Sequence, residues 1–124
     1  MHDCAGVNIH WPNTKLIEFC HSKNILVEGY APLGSPGFVK GQVRPVLEEE
    51  NVAEIARKHN KTPAQVLLRH GLQRGIVVLV KSVTPERIKS NFDMQVWWAV
   101  TGVEEHIQHL DLYCCCGIKE EVPA

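Results

Sequence analysis

Val7-Asn8-Ile9-His10 alternates apolar and polar side chains, the period-two pattern of a half-buried strand, and Trp11-Pro12-Asn13-Thr14 breaks it. Leu16, Ile17, Phe19 and Cys20 then recur at helical spacing, which predicts a short helix over residues 14–22 with one apolar side. Lys23-Asn24 suits its end, because Asn tolerates the left-handed conformation and Lys complements the carbonyl pole. Ile25 to Tyr30 is rich enough in β-branched and aromatic residues for a second strand. Pro32, Gly34, Pro36, Gly37 and Gly41 mark a long loop over residues 31–45, a length that in a compact domain goes with function or disorder.

Residues 48–59 open with three glutamates, close with Arg57-Lys58 and place Val52, Ile55, Ala56 and His59 on one face, as a helix aligned with its dipole would. Thr62-Pro63-Ala64-Gln65 has the form of a capping box with Pro at the first helical position, and predicts a helix over 63–73. Ile76 to Val80 is apolar without alternation, which reads as a parallel strand buried on both faces. Thr84-Pro85-Glu86 starts another helix running to about Asn91. The order of strands and helices predicts an α/β fold with a parallel sheet and right-handed crossovers. Beyond Asp93 the pattern weakens, with a possible helix over 103–110.

A chain of 124 residues suits one domain, and 44% hydrophobic with 22% charged residues is ordinary for a globular protein. A net charge of -1 gives no electrostatic case for nucleic acid or an anionic membrane. No apolar run approaches the ~20 residues of a membrane helix, and Met1-His2-Asp3-Cys4 lacks the character of a secretory signal. The five cysteines, Cys4, Cys20 and the run Cys114 to Cys116, form no spaced disulfide framework. The expectation is a cytoplasmic protein.

The sharpest chemical signal runs from Val80 to Asn91, where an apolar strand ends in Lys81, turns, and enters a helix at Thr84. Helix N-termini present unpaired N–H groups and a positive pole, and Lys81 and Arg87 could both reach a phosphate there. Ligands of parallel α/β proteins gather at the carboxyl ends of strands, where this turn lies. A capped surface helix with solvated charges accounts equally well for the same spacing, and neither GxGxxG nor a Walker sequence is present.

Lys81-Ser82-Val83-Thr84-Pro85-Glu86-Arg87-Ile88 through Asn91 resembles the signature near the eighth barrel strand of the aldo-keto reductase family. Gly29-Tyr30-Ala31-Pro32-Leu33-Gly34-Ser35-Pro36-Gly37 resembles that family's seventh-strand segment. Lys15 to Cys20 and Lys58 to Leu67 are similar as well, especially to the aldose reductase-like branch. The resemblance holds in order from about Val7 to Asp93, which marks residues 1–93 as a partial reductase domain and 94–124 as a divergent tail.

The resemblance implies an NADPH-dependent carbonyl reductase and the C-terminal portion of a (β/α)₈ TIM barrel, with about three of its eight strands. It assigns Tyr30 to stacking on the nicotinamide, and Ala31, Leu33 and Ser35 to the pyrophosphate. Lys81, Ser82, Val83, Thr84 and Arg87 would hold the adenosine 2′-phosphate, and Asn91 the adenine. Ser90 stands where the family usually has an acidic residue, and Gly6 where a glutamine binds the nicotinamide carboxamide. No residue corresponds to the family's catalytic Asp, Tyr, Lys and His, which lie in the first half of the barrel, and His10 does not match that histidine. The expectation is therefore a truncated reductase that binds NADPH at best and has no turnover alone.

Two rivals stand beside it. Unpaired sheet edges and Trp97-Trp98 suit a non-enzymatic chain that pairs with full-length reductase subunits or a complementary reductase fragment. His106, His109 and Cys114 to Cys116 suggest zinc, against which adjacent cysteines point in divergent directions. The expected metal is none.

Overall fold

The computed structural model describes residues 1–35 and 45–93. Three parallel strands, β1 (His2–Gly6), β2 (Leu26–Tyr30) and β3 (Ile76–Leu79), form one sheet in the order β1-β2-β3. Helix α1 (Thr14–Ser22) links the first two strands. A 3₁₀ turn (Val46–Glu48), α2 (Glu50–Lys58) and α3 (Pro63–Gln73) link the second and third, and α4 (Pro85–Phe92) follows. This open βα arrangement is the α/β architecture expected, with three strands and no closed barrel among the described residues.

The helical signals were local and hold. Thr62 Oγ1 accepts from the Gln65 N–H at 3.2 Å while Gln65 Oε1 accepts from the Thr62 N–H at 3.0 Å, completing the capping box. Asn24, past the end of α1, and Asn60, between α2 and α3, both take the left-handed conformation, with φ of 54° and 52°.

The first strand is a correction: it spans residues 2–6 rather than Val7 to His10, with the Val7 N–H donating once more to the Tyr30 carbonyl at 3.1 Å. Positions 2–6 find a parallel partner along the whole of β2, from His2 beside Leu26 to Gly6 beside Tyr30, so tertiary pairing overrides weak local propensity. The alternation in 7–10 is real but has another cause. Asn8 and Trp11 exchange two backbone hydrogen bonds at 3.2 and 3.0 Å, and this tight reversal tucks Val7 and Ile9 inward.

Burial of β3 is the second correction. Ile76 is buried, but Val77 and Leu79 are exposed. Helices α1 and α3 cover the face of the sheet that carries Val27, Gly29, Ile76 and Val78. Leu26, Tyr30, Val77 and Leu79 lie at 38–53% exposure on the opposite face.

Two apolar clusters hold the elements together. One gathers Ala5, Val7, Ile17, Cys20, Val27 and Ile76 between the sheet and α1. The other joins Ile9, Val46, Val52, Ile55, Ala56, Val66 and Leu67, with Leu33 against it, uniting α2 and α3 with the segments that follow β1 and β2. Val27, Val52, Val66 and Leu68 are fully buried, each contributing about 1.5–3 kcal/mol of transfer free energy.

Candidate functional site

All three strands stop at one level, because Gly6 pairs beside Tyr30 and Tyr30 beside Leu79. The segments that follow β2 and β3 therefore leave the sheet at the same end, from adjacent strands. This carboxyl end is where parallel α/β proteins bind ligands.

From β2, Tyr30 projects at 53% exposure with its ring against Gly6, so that a β-carbon on Gly6 would lie 3.2 Å from Cζ and Oη. Ala31 follows with φ of 54°, in the left-handed region that a residue bearing a β-carbon adopts at a cost. Its carbonyl accepts from the Gly34 N–H at 3.0 Å, closing a tight turn. Leu33 packs on the second apolar cluster, and Ser35 is half-buried. Strain of this kind gathers where a backbone must meet a ligand, and no residue pattern around Ala31 announced it.

From β3, Lys81 is exposed and Ser82 half-buried, its Oγ accepting from the Thr84 N–H at 3.3 Å. Val83 is 81% exposed. Thr84 is the N-cap of α4 without a side-chain cap bond, and Pro85 opens the helix. Arg87 is exposed on the first turns and Asn91 half-buried near the end. Among the described residues neither Lys81 nor Arg87 forms an ion pair, while Glu86 shares the first turn and offsets part of their positive charge. Gln65 Nε2 donates to the Ser90 carbonyl at 3.0 Å and so ties α4 to α3. The order is a strand end, a polar turn and two cations around a helix N-terminus, which is chemistry suited to an anionic group.

A linkage that sequence reading missed stands beside this end. His10 Nε2 and Glu49 Oε1 are 3.0 Å apart, both side chains about four-fifths buried, across a separation of 39 positions. No local pattern could have joined them.

A narrow cleft lies between α3 and the sheet, lined by Val7, Gly29, Ile76 and Val78 opposite Leu67, His70 and Gly71. Its position is on the helix-covered face, away from Lys81 and Arg87. Burial first, then the Arg74 charge, lowers the His70 pKa to about 4, and its Nδ1 has no hydrogen-bond partner. Trp97-Trp98, His106, His109, Cys114 to Cys116 and the helix expected over 103–110 lie outside the described residues.

The aldo/keto reductase family model matches residues 7–101. The chain belongs to the aldo/keto reductase family. Among curated relatives, mouse aldo-keto reductase family 1 member D1 is 43% identical over 105 residues, covering 82% of this chain and 31% of the relative. Aldehyde reductase YPR1 of Saccharomyces cerevisiae is 47% identical over 81 residues, covering 65% of this chain and 24% of the relative. A Gox0644 mutant crystallised in complex with NADPH superposes with a TM-score of 0.73 at 32% identity, covering 89% of this chain and 38% of that one. The chain thus spans about a quarter to a third of the length of its curated relatives. Among the described residues no helix is long and apolar enough to cross a membrane.

Proposed function

We propose that this chain carries the coenzyme-holding portion of an NADPH-dependent reductase of aldehydes and ketones. The observation that carries the reading is the shared level at which β2 and β3 end, which delivers the strained Ala31 turn and the Lys81–Arg87 segment to one mouth. A Tyr30 ring half open to solvent suits stacking on a nicotinamide, and the turn from Ala31 to Ser35 suits a pyrophosphate. Lys81 and Arg87, with the hydroxyls of Ser82 and Thr84 and the surface of Val83, suit the 2′-phosphate, and Asn91 suits the adenine.

NADPH, when bound, would supply the hydride for carbonyl reduction. The residues of this chain would orient the coenzyme and select its phosphorylated form. Reduction also needs an acid that protonates the developing alkoxide. The family resemblance places that acid in a segment these 124 residues do not match, and Tyr30 is committed to stacking. Residues 1–93 act here as a partial reductase domain in a cytoplasmic protein, with 94–124 as a divergent tail.

The test is a fluorescence titration of the purified chain with NADPH and NADH, run beside an assay with an aromatic aldehyde. Binding with a preference for NADPH and no aldehyde reduction is expected. Absence of NADPH binding overturns the coenzyme role; reduction that Tyr30→Ala abolishes overturns the lack of turnover.

A second reading rests on the two sheet edges that have no partner strand among the described residues and on the open face bearing Leu26, Val77 and Leu79. Such a sheet suits pairing with a complementary reductase segment or a full-length subunit. Co-purification of a reductase subunit with the tagged chain supports it, and a chain that stays monomeric in the presence of that subunit removes it.

A further inference from the structure

We infer that His10 and Glu49 are positioning residues for the Ala31–Ser35 turn, acting through Val46. The inference rests on the coenzyme-holding role just proposed and adds to it two residues that touch no part of the proposed site.

Glu49 is the N-cap of α2, and its carbonyl accepts from the Ala53 N–H at 2.9 Å as the first bond of the helix. Its carboxylate makes no cap bond to that helix. It meets His10 Nε2 at 3.0 Å instead. The side chains that usually cap a helix N-terminus are Ser, Thr, Asp and Asn, so this longer carboxylate is left to serve a distant partner. On the other side, the His10 N–H donates to Asn8 Oδ1 at 2.9 Å, and the reversal between Asn8 and Trp11 fixes the segment further.

The linkage reaches the proposed site by contact. Val46 precedes Glu49 by one turn and is 4% exposed, in one cluster with Ile9, the neighbour of His10. Gly34 lies directly on Val46, since a β-carbon there would sit 3.2 Å from Val46 Cγ2. Leu33 packs on the same cluster. The His10–Glu49 bond therefore ties together the two chain segments that carry Ile9 and Val46 into one cluster, and Gly34 rests on Val46 from outside it. The strained Ala31 lies within that turn, and a turn held away from its relaxed geometry needs support from outside itself.

The test compares two ligands on the full chain. NADPH spans both the Ala31–Ser35 turn and the Lys81–Arg87 segment, whereas adenosine 2′-monophosphate carries only the adenosine portion with its 2′-phosphate and no part of the pyrophosphate. His10→Ala, Glu49→Gln and the double variant are titrated with each, with circular dichroism and thermal melting to confirm folding. A roughly three- to tenfold loss of NADPH affinity is expected in each single variant, with the double variant no worse than the singles, as for residues that act as one unit. Affinity for adenosine 2′-monophosphate should stay unchanged, and His10→Gln, which keeps a donor, should recover much of the loss. Unchanged NADPH affinity in the variants, or an equal loss for adenosine 2′-monophosphate, overturns the inference while leaving the coenzyme role intact. Failure of the unsubstituted chain to bind either ligand overturns both.

Discussion

The ring of Tyr30 rests against Gly6, its partner across the parallel β1–β2 ladder, at a distance that leaves no free space for a β-carbon on position 6. Any side chain introduced there would push the ring outward from the strand ends. The tyrosine is a flexible side chain's far end and not backbone, so the strand can accept the change if the ring swings.

This pairing separates a coenzyme role for Tyr30 from a packing role. Tyr30→Ala should weaken NADPH by about tenfold, since stacking on an aromatic ring contributes about 1–3 kcal/mol per base. Its effect on thermal stability should be small, because the side chain is already 53% exposed. Isothermal titration and a melting curve on the same sample check both halves. Equal losses in affinity and stability would assign the ring to packing.

Selection of the phosphorylated coenzyme should reside in Lys81 and Arg87. Charge-assisted hydrogen bonds contribute about 1.5–3 kcal/mol each, so Lys81→Met or Arg87→Met should weaken NADPH by roughly tenfold or more. NADH, which lacks the 2′-phosphate, should bind the variants and the unsubstituted chain alike. Raised salt should weaken NADPH more than NADH for the same reason. Parallel titrations with the two coenzymes decide it.

Gln65 is the one buried polar residue among those described, and it serves two elements at once. It completes the capping box of α3 and reaches the Ser90 carbonyl of α4. Gln65→Ala should therefore cost about 1–3 kcal/mol, more than a cap alone, by leaving the Thr62 N–H and the Ser90 carbonyl without these partners. Urea denaturation measures the loss. Thr62→Ala removes only the cap and should cost about 1 kcal/mol.

How far the fold was legible follows the reach of its signals. α3 was readable to its ends because Thr62, Pro63 and Gln65 state the start within four consecutive residues. β1 was misplaced because Asp3, Cys4 and Gly6 carry little strand propensity, and only the distant β2 makes them a strand. β3 looked like a strand buried on both faces because its apolar run carries no alternation. Composition alone does not tell that, among the described residues, only the face toward α1 and α3 is covered while Val77 and Leu79 lie open. Lys81, Thr84 and Arg87 were found together because they lie in one continuous segment. The His10–Glu49 bond was invisible because 39 positions separate its members, and the strain at Ala31 because alanine carries no mark of a left-handed backbone.

His70 should make stability depend on acidity. Its ordinary pKa of 6.5 applies to the unfolded chain, and burial lowers it to about 4 in the folded one. Between those values the unfolded state binds more protons, so stability is undiminished by this group above about pH 6.5 and falls as pH drops towards 4. The full loss is up to about 3 kcal/mol. Urea midpoints at pH 7.5 and 4.5 should differ accordingly, and His70→Gln should reduce the difference.

The two apolar clusters divide the molecule by consequence as well as by place. The set around Val27 keeps the strands on α1, whereas the set around Val52 holds the Ala31–Ser35 turn through Leu33 and Val46. Erosion of the second set would loosen that turn while the ladder of strands persisted. Under the coenzyme role proposed above, such erosion would cost affinity well before it cost shape.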